Sequence, residues 1–407
     1  MGKTDIDILN IAWNLSRVIY GIEQFNASQF DIFSVGELFL YSEKNAKLPV
    51  GNDDTRFIGE PLTLLLNELK KIYSTSTGEF NKSNGKINQQ MIDSGDYEKL
   101  FIRRIYSNGA RPCILVIDDK KDENDDENDD EITTWVVTRG SDKLYDIISC
   151  LNTATCELPT KIAEQIKDAN KYISSPLLFH NGLIQNLNTI EEGGIEDGVF
   201  VNLNNYITEL LKNDKCCCSA ESCKCSGKKP QRVIYTGHSL GGAISEILAT
   251  TAVMSIGSQQ VQPGSSITLL PFCGFRTLTK YPAGYMRTYK NSTLEFKCTT
   301  VRNSMDIIGA DNWTRFLGLD VPLFGNYKQI TKKGYFIQGG GLSNGIRGPY
   351  SIHPNVPTDI GSYFQLPTVI VNSHLMNNLE ITERILVDEI PDVCQHEDIE
   401  ENVDQEE

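Results

Sequence analysis

The feature that most constrains the fold lies at residues 232–243, where a strand-like run meets Gly-His-Ser-Leu-Gly-Gly. Residues 233–236 are β-branched or aromatic, as in a buried strand, whereas the residues from Ala243 onward favour a helix. Between them, Ser239 lies in the pattern G-x-S-x-G, which in this context predicts a sharp turn that exposes the serine hydroxyl. We call residues 237–242 the elbow; its glycines are expected because larger side chains would clash in so tight a turn. The alternative is a glycine-rich turn that holds an ordinary serine.

The charge of the chain is unevenly distributed. The formal net charge is −16 over 407 residues, but residues 118–131 hold ten acidic residues and residues 388–407 hold another ten. Outside these two segments, 36 Lys and Arg residues balance 34 Asp and Glu residues. No basic face emerges from this pattern, so nucleic acid is not an expected partner.

Strand-like runs lie at residues 113–117, 134–138, 232–236, 266–272 and 296–301, and a helical pattern follows the elbow. Residues 1–100 carry two amphipathic helical patterns, so we predict an N-terminal helical extension packed on the core. Residues 101–385 form the main domain, which contains the acidic loop 118–131 and a Cys-rich insertion at 212–230. Residues 386–407 are expected to be a disordered acidic tail.

Cysteine usage and the first residues suggest a compartment. No apolar run is long enough to span a bilayer, and the N-terminus lacks the layout of a secretory signal. Eleven cysteines in such a chain indicate free thiols in a reducing environment, so we expect a cytoplasmic protein.

A cluster of thiols marks the Cys-rich insertion. Its members are Cys216, Cys217, Cys218, Cys223 and Cys225. Thiolates bind zinc or copper, but the spacing is not C-x-x-C repeated twice and no histidine accompanies it. An exposed low-complexity insertion is therefore favoured, with metal binding as the alternative.

Four short motifs follow one another within residues 100–380. They are Arg139-Gly140-Ser141 after a strand-like run, His180-Asn181-Gly182-Leu183, the elbow, and Asn303-Ser304-Met305-Asp306. In this order they resemble the class 3 lipase family, the fungal-type triacylglycerol lipases. The resemblance implies an α/β-hydrolase fold, with a mostly parallel central sheet flanked by helices. The same resemblance implies cleavage of carboxylic esters of acylglycerols or phospholipids without a cofactor. It also implies a lipid ester as the partner, met at a membrane or droplet surface, and no transmembrane segment.

The resemblance assigns roles to individual residues. Ser239 matches the nucleophile, and the backbone N–H groups of Leu240 and Ser141 match the oxyanion hole, where each donor contributes about 3 kcal/mol. Asp306 matches the triad acid, since an α/β-hydrolase keeps this residue in the loop beyond a core strand. Asp311 is its nearest rival.

The triad histidine must be one of five histidines: His180, His238, His353, His374 and His396. The order Ser, Asp, His leaves His353 and His374. We prefer His374, which follows the strand-like run 366–371 near the end of the core, and keep His353 as the alternative. His180 precedes the nucleophile and is predicted to be structural.

The sequence departs from the family pattern at several positions. Ile147 stands where the family has Trp in the lid segment 146–151, and a proline of the family is missing both near Arg276 and at Ile308. Two other functions therefore stay as alternatives: a non-catalytic lipase-like binding protein, and an esterase that acts on non-lipid esters.

Overall fold

The parts of the chain that the computed structural model describes are residues 8–9, 11–16, 18–19, 59–67, 97–106, 114–119, 132–140, 152–170, 173, 176–188, 198–212, 230–303, 327, 330, 334–337 and 384–387. These residues contain eleven strands and five helices, besides short helical stretches in the N-terminal part of the chain. No helix in these ranges is both long and apolar enough to cross a membrane.

A nine-stranded sheet forms the centre of the described structure. Its strands are β1 (Leu100–Tyr106), β2 (Ile114–Asp119), β3 (Ile132–Thr138), β6 (Gln231–His238), β7 (Ser265–Phe272), β8 (Leu294–Cys298), β9 (Thr300–Asn303), β10 (Gly334–Ile337) and β11 (Arg384–Val387). They follow the order β1-β2-β3-β6-β7-β9-β10-β11, and β8 also pairs with β7. The pairs from β3 to β10 are parallel, while β1-β2, β2-β3 and β10-β11 are antiparallel. A separate two-stranded sheet pairs β4 (Thr155–Glu157) with β5 (Leu178–His180).

The helices are α1 (Thr160–Ala169), α2 (Asn181–Asn188), α3 (Gly198–Lys212), α4 (Leu240–Ile256) and α5 (Lys280–Thr288). All five contribute to an apolar cluster on one face of the main sheet, to which β6 contributes Val233 and Tyr235. The helix α4 is buried along its whole length, which explains why its sequence is apolar on every side.

The opposite face of the sheet is covered by the N-terminal part of the chain. Residues 11–16 and residues 62–67 are helical, and their buried side chains share a second apolar cluster with Ile234 of β6 and Phe272 of β7. Successive residues of a strand point to opposite faces, so β6 feeds both clusters. Beyond β1, the Gly59 N–H donates to the Ile102 carbonyl oxygen at 2.7 Å, which covers the sheet edge.

The predicted α/β fold, with a mostly parallel central sheet and flanking helices, is confirmed. One predicted strand differs: residues 296–301 are divided between β8, which pairs with β7, and β9, which pairs with β10 along its whole length. The limits of the three predicted segments remain predictions, and β11 continues two residues beyond residue 385.

Three predicted features lie outside the described residues. Most of the acidic loop (120–131), most of the Cys-rich insertion (213–229) and the tail from residue 388 onward belong to this group. The lid segment 146–151 lies outside them as well.

Candidate active site

The elbow has the strand-turn-helix arrangement that its sequence predicts. The strand β6 ends at His238, Ser239 forms the turn, and α4 begins at Leu240. The backbone of Ser239 has φ 55° and ψ −122°, a combination that residues other than glycine rarely adopt. The sequence predicts an exposed hydroxyl, whereas Ser239 is 9% exposed in the structure. The serine is thus held in a strained turn and shielded from most of the solvent.

Two glycines of the elbow pack directly against the end of β3. A Cβ added to Gly237 would lie 2.5 Å from the Thr138 carbonyl oxygen. A Cβ added to Gly241 would collide with the same oxygen and lie 2.7 Å from the carbonyl carbon of Arg139. Neither glycine has a positive φ, so close backbone approach is what requires glycine at both positions. The contact brings the segment that leads to Ser141 against the first turn of α4.

The end of β7 holds the elbow on its other side. The Ser239 N–H donates a hydrogen bond of 2.9 Å to the Phe272 carbonyl oxygen. A Cβ added to Gly242 would lie 3.1 Å from the Gly274 α-carbon, so these two backbones also touch. Cys273, which lies between Phe272 and Gly274, has φ 51° and is fully buried. Its backbone N–H donates to the Val301 carbonyl oxygen at 2.7 Å. Both neighbours of β6 therefore fix the position of Ser239.

The start of α4 creates a favourable place for negative charge beside Ser239. The Ala243 N–H donates the first helical hydrogen bond, 3.1 Å long, to the Ser239 carbonyl oxygen. The N–H groups before it have no partner within the helix, and the aligned peptide dipoles give this end a partial positive charge. A catalytic oxyanion formed at Ser239 would be stabilised by this end of the helix.

A buried glutamate in α4 is a residue that the sequence analysis missed. Glu246 accepts hydrogen bonds from the Thr277 N–H at 3.0 Å and from the Thr277 hydroxyl at 2.6 Å. The Thr277 carbonyl oxygen in turn accepts a hydrogen bond from the backbone N–H of His180 at 3.2 Å. These bonds tie α4 to the segment after β7 and to β5. An acidic residue within the apolar run of α4 was the available signal.

His180 lies in an aromatic cluster. Its ring stacks on Tyr327, with centroids 5.2 Å apart, and lies 5.8 Å from the ring of Phe275. The Tyr327 hydroxyl donates to the carbonyl oxygens of Thr153 and Ala154 at 2.8 and 3.0 Å. Burial, with a smaller effect from Cys156, raises the pKa of Tyr327 to about 12. These contacts support the predicted structural role of His180.

The other predicted site residues divide into two groups. Leu240 is fully buried at the first position of α4, directly after Ser239. Outside the described residues lie Ser141, Asp306 and His374, together with the alternatives Asp311 and His353. Their roles remain predictions.

Side chains that bind metals are dispersed in the described part of the chain. Among these residues, no group of three or more His, Cys, Asp or Glu side chains could hold a metal ion. The five cysteines of the insertion lie outside the described ranges. Burial, with a smaller effect from Glu157, raises the pKa of Cys156 to about 11, so the thiolate that binds metals is disfavoured there.

No family model matches the sequence, and a search of curated proteins finds no match. Solved structures to which the chain is similar include the M37 lipase, which shares 14% identity with a TM-score of 0.37 over 88% of this chain and 79% of the lipase. A mutant form of MDLA from Penicillium cyclopium shares 10% identity with a TM-score of 0.40 over 84% and 83%. A triacylglycerol lipase from Penicillium expansum shares 15% identity with a TM-score of 0.36 over 68% and 81%. Because these values are low, the function proposed below rests on the chain's own residues.

Proposed function

We propose that this chain is a lipase-like serine hydrolase with an α/β-hydrolase fold. It cleaves carboxylic esters of acylglycerols or phospholipids and meets them at a membrane or droplet surface. The observation that supports this most is the backbone of Ser239, with φ 55° and ψ −122° between a buried strand and a buried helix. Such a conformation costs about 1–3 kcal/mol and is typical of residues whose position matters for function.

The contact between the elbow and β3 supports the proposed oxyanion hole. The Leu240 N–H is one donor, because it directly follows the nucleophile at the start of α4. Ser141 supplies the other N–H and its hydroxyl. It follows Arg139 by two residues, and the Arg139 backbone lies against Gly241. Consecutive α-carbons are about 3.8 Å apart, so Ser141 is within reach of the first turn of α4.

The sheet order supports Asp306 as the triad acid. The strands β6, β7 and β9 are parallel, and Phe272 of β7 pairs with both His238 of β6 and Val301 of β9. Their C-terminal ends therefore lie at one edge, with about 10 Å between β6 and β9. Asp306 follows the last residue of β9 by three positions, a length of chain that spans about 10 Å.

The proposed reaction passes through an acyl-enzyme. The Ser239 Oγ attacks the ester carbonyl carbon while His374 takes the hydroxyl proton, and Asp306 orients the imidazole and stabilises its protonated form. Leu240 and Ser141 donate hydrogen bonds to the oxyanion. When the carbon–oxygen bond breaks, His374 passes its proton to the leaving alcohol. A water molecule, deprotonated by His374, then attacks the acyl carbon. The bond from this carbon to the Ser239 Oγ breaks, His374 returns the proton to Oγ, and the fatty acid is released.

Ester hydrolysis by the full chain tests the proposal. The substrates are p-nitrophenyl esters of increasing chain length, an emulsified triacylglycerol and phosphatidylcholine vesicles. Ser239→Ala and His374→Ala are expected to lower kcat at least about a thousandfold. Preference for long acyl chains in aggregates supports a lipid substrate, and preference for short soluble esters supports the non-lipid esterase.

His353→Ala separates the two histidine candidates. We expect this variant to keep most of the activity. An inactive His353→Ala beside an active His374→Ala would show that the triad assignment is wrong. A folded wild-type protein that hydrolyses none of these esters would favour the binding protein.

A further inference from the structure

Helical residues 11–16 contact the ends of β6 and β7 beside Ser239, from the sheet face opposite α4. The Ser16 Oγ lies 3.2 Å from the Thr236 Oγ1 on β6, and Ser16 is fully buried. The Trp13 ring meets the Phe272 ring of β7 edge-on, with centroids 5.2 Å apart and an interplanar angle of 66°. The two partner residues, Thr236 and Phe272, are more than 200 positions away in sequence, and both lie beside the elbow that holds Ser239.

The direction of the Ser16 hydrogen bond follows from the other contacts of Thr236. The Thr236 hydroxyl has one proton, which it donates to the Leu270 carbonyl oxygen at 2.9 Å. The Ser16 hydroxyl is therefore the donor to Thr236. The Thr236 carbonyl oxygen also accepts from the Ser245 hydroxyl of α4 at 2.9 Å. Thr236 thus joins the N-terminal segment to β7 and to α4.

Displacement of Thr236 would be passed on to the elbow. Thr236 precedes Gly237, where a Cβ would lie only 2.5 Å from the Thr138 carbonyl oxygen. Backbones packed this closely have little room to absorb a shift. The position of Thr236 is therefore coupled to that of Ser239, three residues later.

The contact with Trp13 acts at the other support of the nucleophile. Phe272 is fully buried, and its carbonyl oxygen accepts the 2.9 Å hydrogen bond from the Ser239 N–H. The next residue, Cys273, has φ 51°, so the chain turns sharply directly after this carbonyl. The ring of Trp13 packs against Phe272 where β7 ends, and so limits how far this carbonyl can move.

We propose that Trp13 and Ser16 are positioning residues for the nucleophile. This inference rests on the proposed hydrolase function and extends it to the N-terminal extension, which lies outside the stretch that resembles class 3 lipases. Reaction rates depend steeply on the placement of the attacking atom, and an error of about 1 Å costs about a hundredfold. The N-terminal extension is accordingly a part of the catalytic unit.

The test compares Trp13→Leu and Ser16→Ala with the conservative Trp13→Phe, all in the full chain. Ile105→Ala is the matched control, because Ile105 lies in the same apolar layer on β1, three strands from β6. The measurements are kcat and KM for p-nitrophenyl butyrate, the rate of Ser239 modification by a fluorophosphonate, and the Tm. Every assay is run well below the lowest Tm.

We expect Trp13→Leu and Ser16→Ala to lower kcat and the modification rate about tenfold or more, with KM changed less than about twofold. Trp13→Phe recovers most of this loss because it keeps an aromatic ring against Phe272. Ile105→Ala lowers the Tm but keeps the modification rate of the folded protein. Equal losses in Trp13→Leu, Ser16→Ala and Ile105→Ala would overturn the proposal.

Hydrogen exchange separates this proposal from the proposed function. If the wild-type protein neither hydrolyses esters nor reacts with the fluorophosphonate, the hydrolase proposal fails. Exchange of the Ser239 amide still tests the positioning. It accelerates in Trp13→Leu relative to Ile105→Ala if Trp13 holds the Phe272 carbonyl, and unchanged exchange would contradict that role. Should Trp13→Leu not fold, Ser16→Ala serves for the same comparison, because it removes a single oxygen.

Discussion

A Cβ added to Gly237 would lie 2.5 Å from the carbonyl oxygen of Thr138, a distance that real Cβ contacts do not show. The two residues pair across β3 and β6, where both strands end. The glycines of the elbow therefore do more than allow a turn, because they let the neighbouring strand approach Ser239.

We predict that Gly241→Ala impairs both catalysis and stability. Its Cβ would collide with the Thr138 carbonyl oxygen and would force β3 away from α4. We expect the unfolding free energy to fall by about 1–3 kcal/mol and ester hydrolysis to fall at least about tenfold. Chemical denaturation and kcat/KM measure the two effects.

Gly284→Ala is the control for this substitution. Gly284 lies within α5, and nothing is within 4 Å of a Cβ added there. This variant is expected to raise the unfolding free energy by about 0.5–1 kcal/mol and to leave kcat/KM unchanged. Equal behaviour of the two variants would contradict the close-approach explanation.

We predict that Gly257→Ala destabilises the protein without slowing the reaction of Ser239. Gly257 ends α4 with φ 55°, and a Cβ there would lie 2.6 Å from the Asn170 Oδ1. Because this helix has 17 residues and Ser239 precedes its first one, Gly257 lies about 25 Å from Ser239. Gly59→Ala separates the causes, because Gly59 has φ 84° but open space around a Cβ. Gly59→Ala should lower the unfolding free energy by about 1–2 kcal/mol, and Gly257→Ala should lower it more. A larger loss in Gly59→Ala, measured from denaturation curves, would refute the clash at Gly257.

We predict that Asn170 is a strong stabilising contact between helices. Its side-chain N–H groups donate to the carbonyl oxygens of Ile166 at 2.7 Å and Met254 at 2.6 Å, and its Oδ1 accepts from the Tyr285 hydroxyl at 2.7 Å. Asn170→Ala is expected to lower the unfolding free energy by about 2–3 kcal/mol, and Tyr285→Phe by about 1 kcal/mol. The double variant should lose less stability than the sum of the two single losses, because both substitutions remove the same hydrogen bond between Tyr285 and Asn170. Strict additivity would mean that this hydrogen bond contributes nothing.

We predict that stability declines at high pH. Burial raises the pKa of Tyr327 and that of Tyr285 to about 12, whereas an unfolded tyrosine titrates near 10. Both states keep the proton below pH 10, so the contribution is complete there. Between about pH 10 and 12 the unfolded chain loses protons first, and the unfolding free energy therefore falls. Tyr327→Phe and Tyr285→Phe should each flatten this fall in denaturation curves, and a double variant with the full decline would exclude these tyrosines as its cause.

Local patterns in the sequence predict much of the fold but little of what holds the elbow in place. Strand propensity and glycine spacing predicted β6, the turn at Ser239 and α4, because each depends on residues close in sequence. The contacts of Ser239 with Phe272, and of Phe272 with Trp13, join distant segments. Hydrophobic periodicity indicates which face of a helix is buried, but it does not indicate the partner of that face.

The differences from prediction have the same origin. Residues 296–301 are divided because β8 pairs with β7 whereas β9 pairs with β10, and no residue near Thr299 indicates which neighbour each part will have. Glu246 was overlooked because its partner Thr277 lies 31 residues away. Ser141, Asp306 and His374 stay predictions from the resemblance and from the sheet order.

The most direct test of the proposed function is the mass of the protein after reaction with a fluorophosphonate, followed by peptide mapping. The full chain is treated in buffer containing lipid micelles, beside Ser239→Ala and beside Ser258→Ala, which replaces an exposed serine just after α4. A hydrolase should carry one adduct, on Ser239, which is lost in Ser239→Ala and kept in Ser258→Ala. A folded wild-type protein with no adduct, or with its adduct on another residue, would contradict the assignment of Ser239 as the nucleophile.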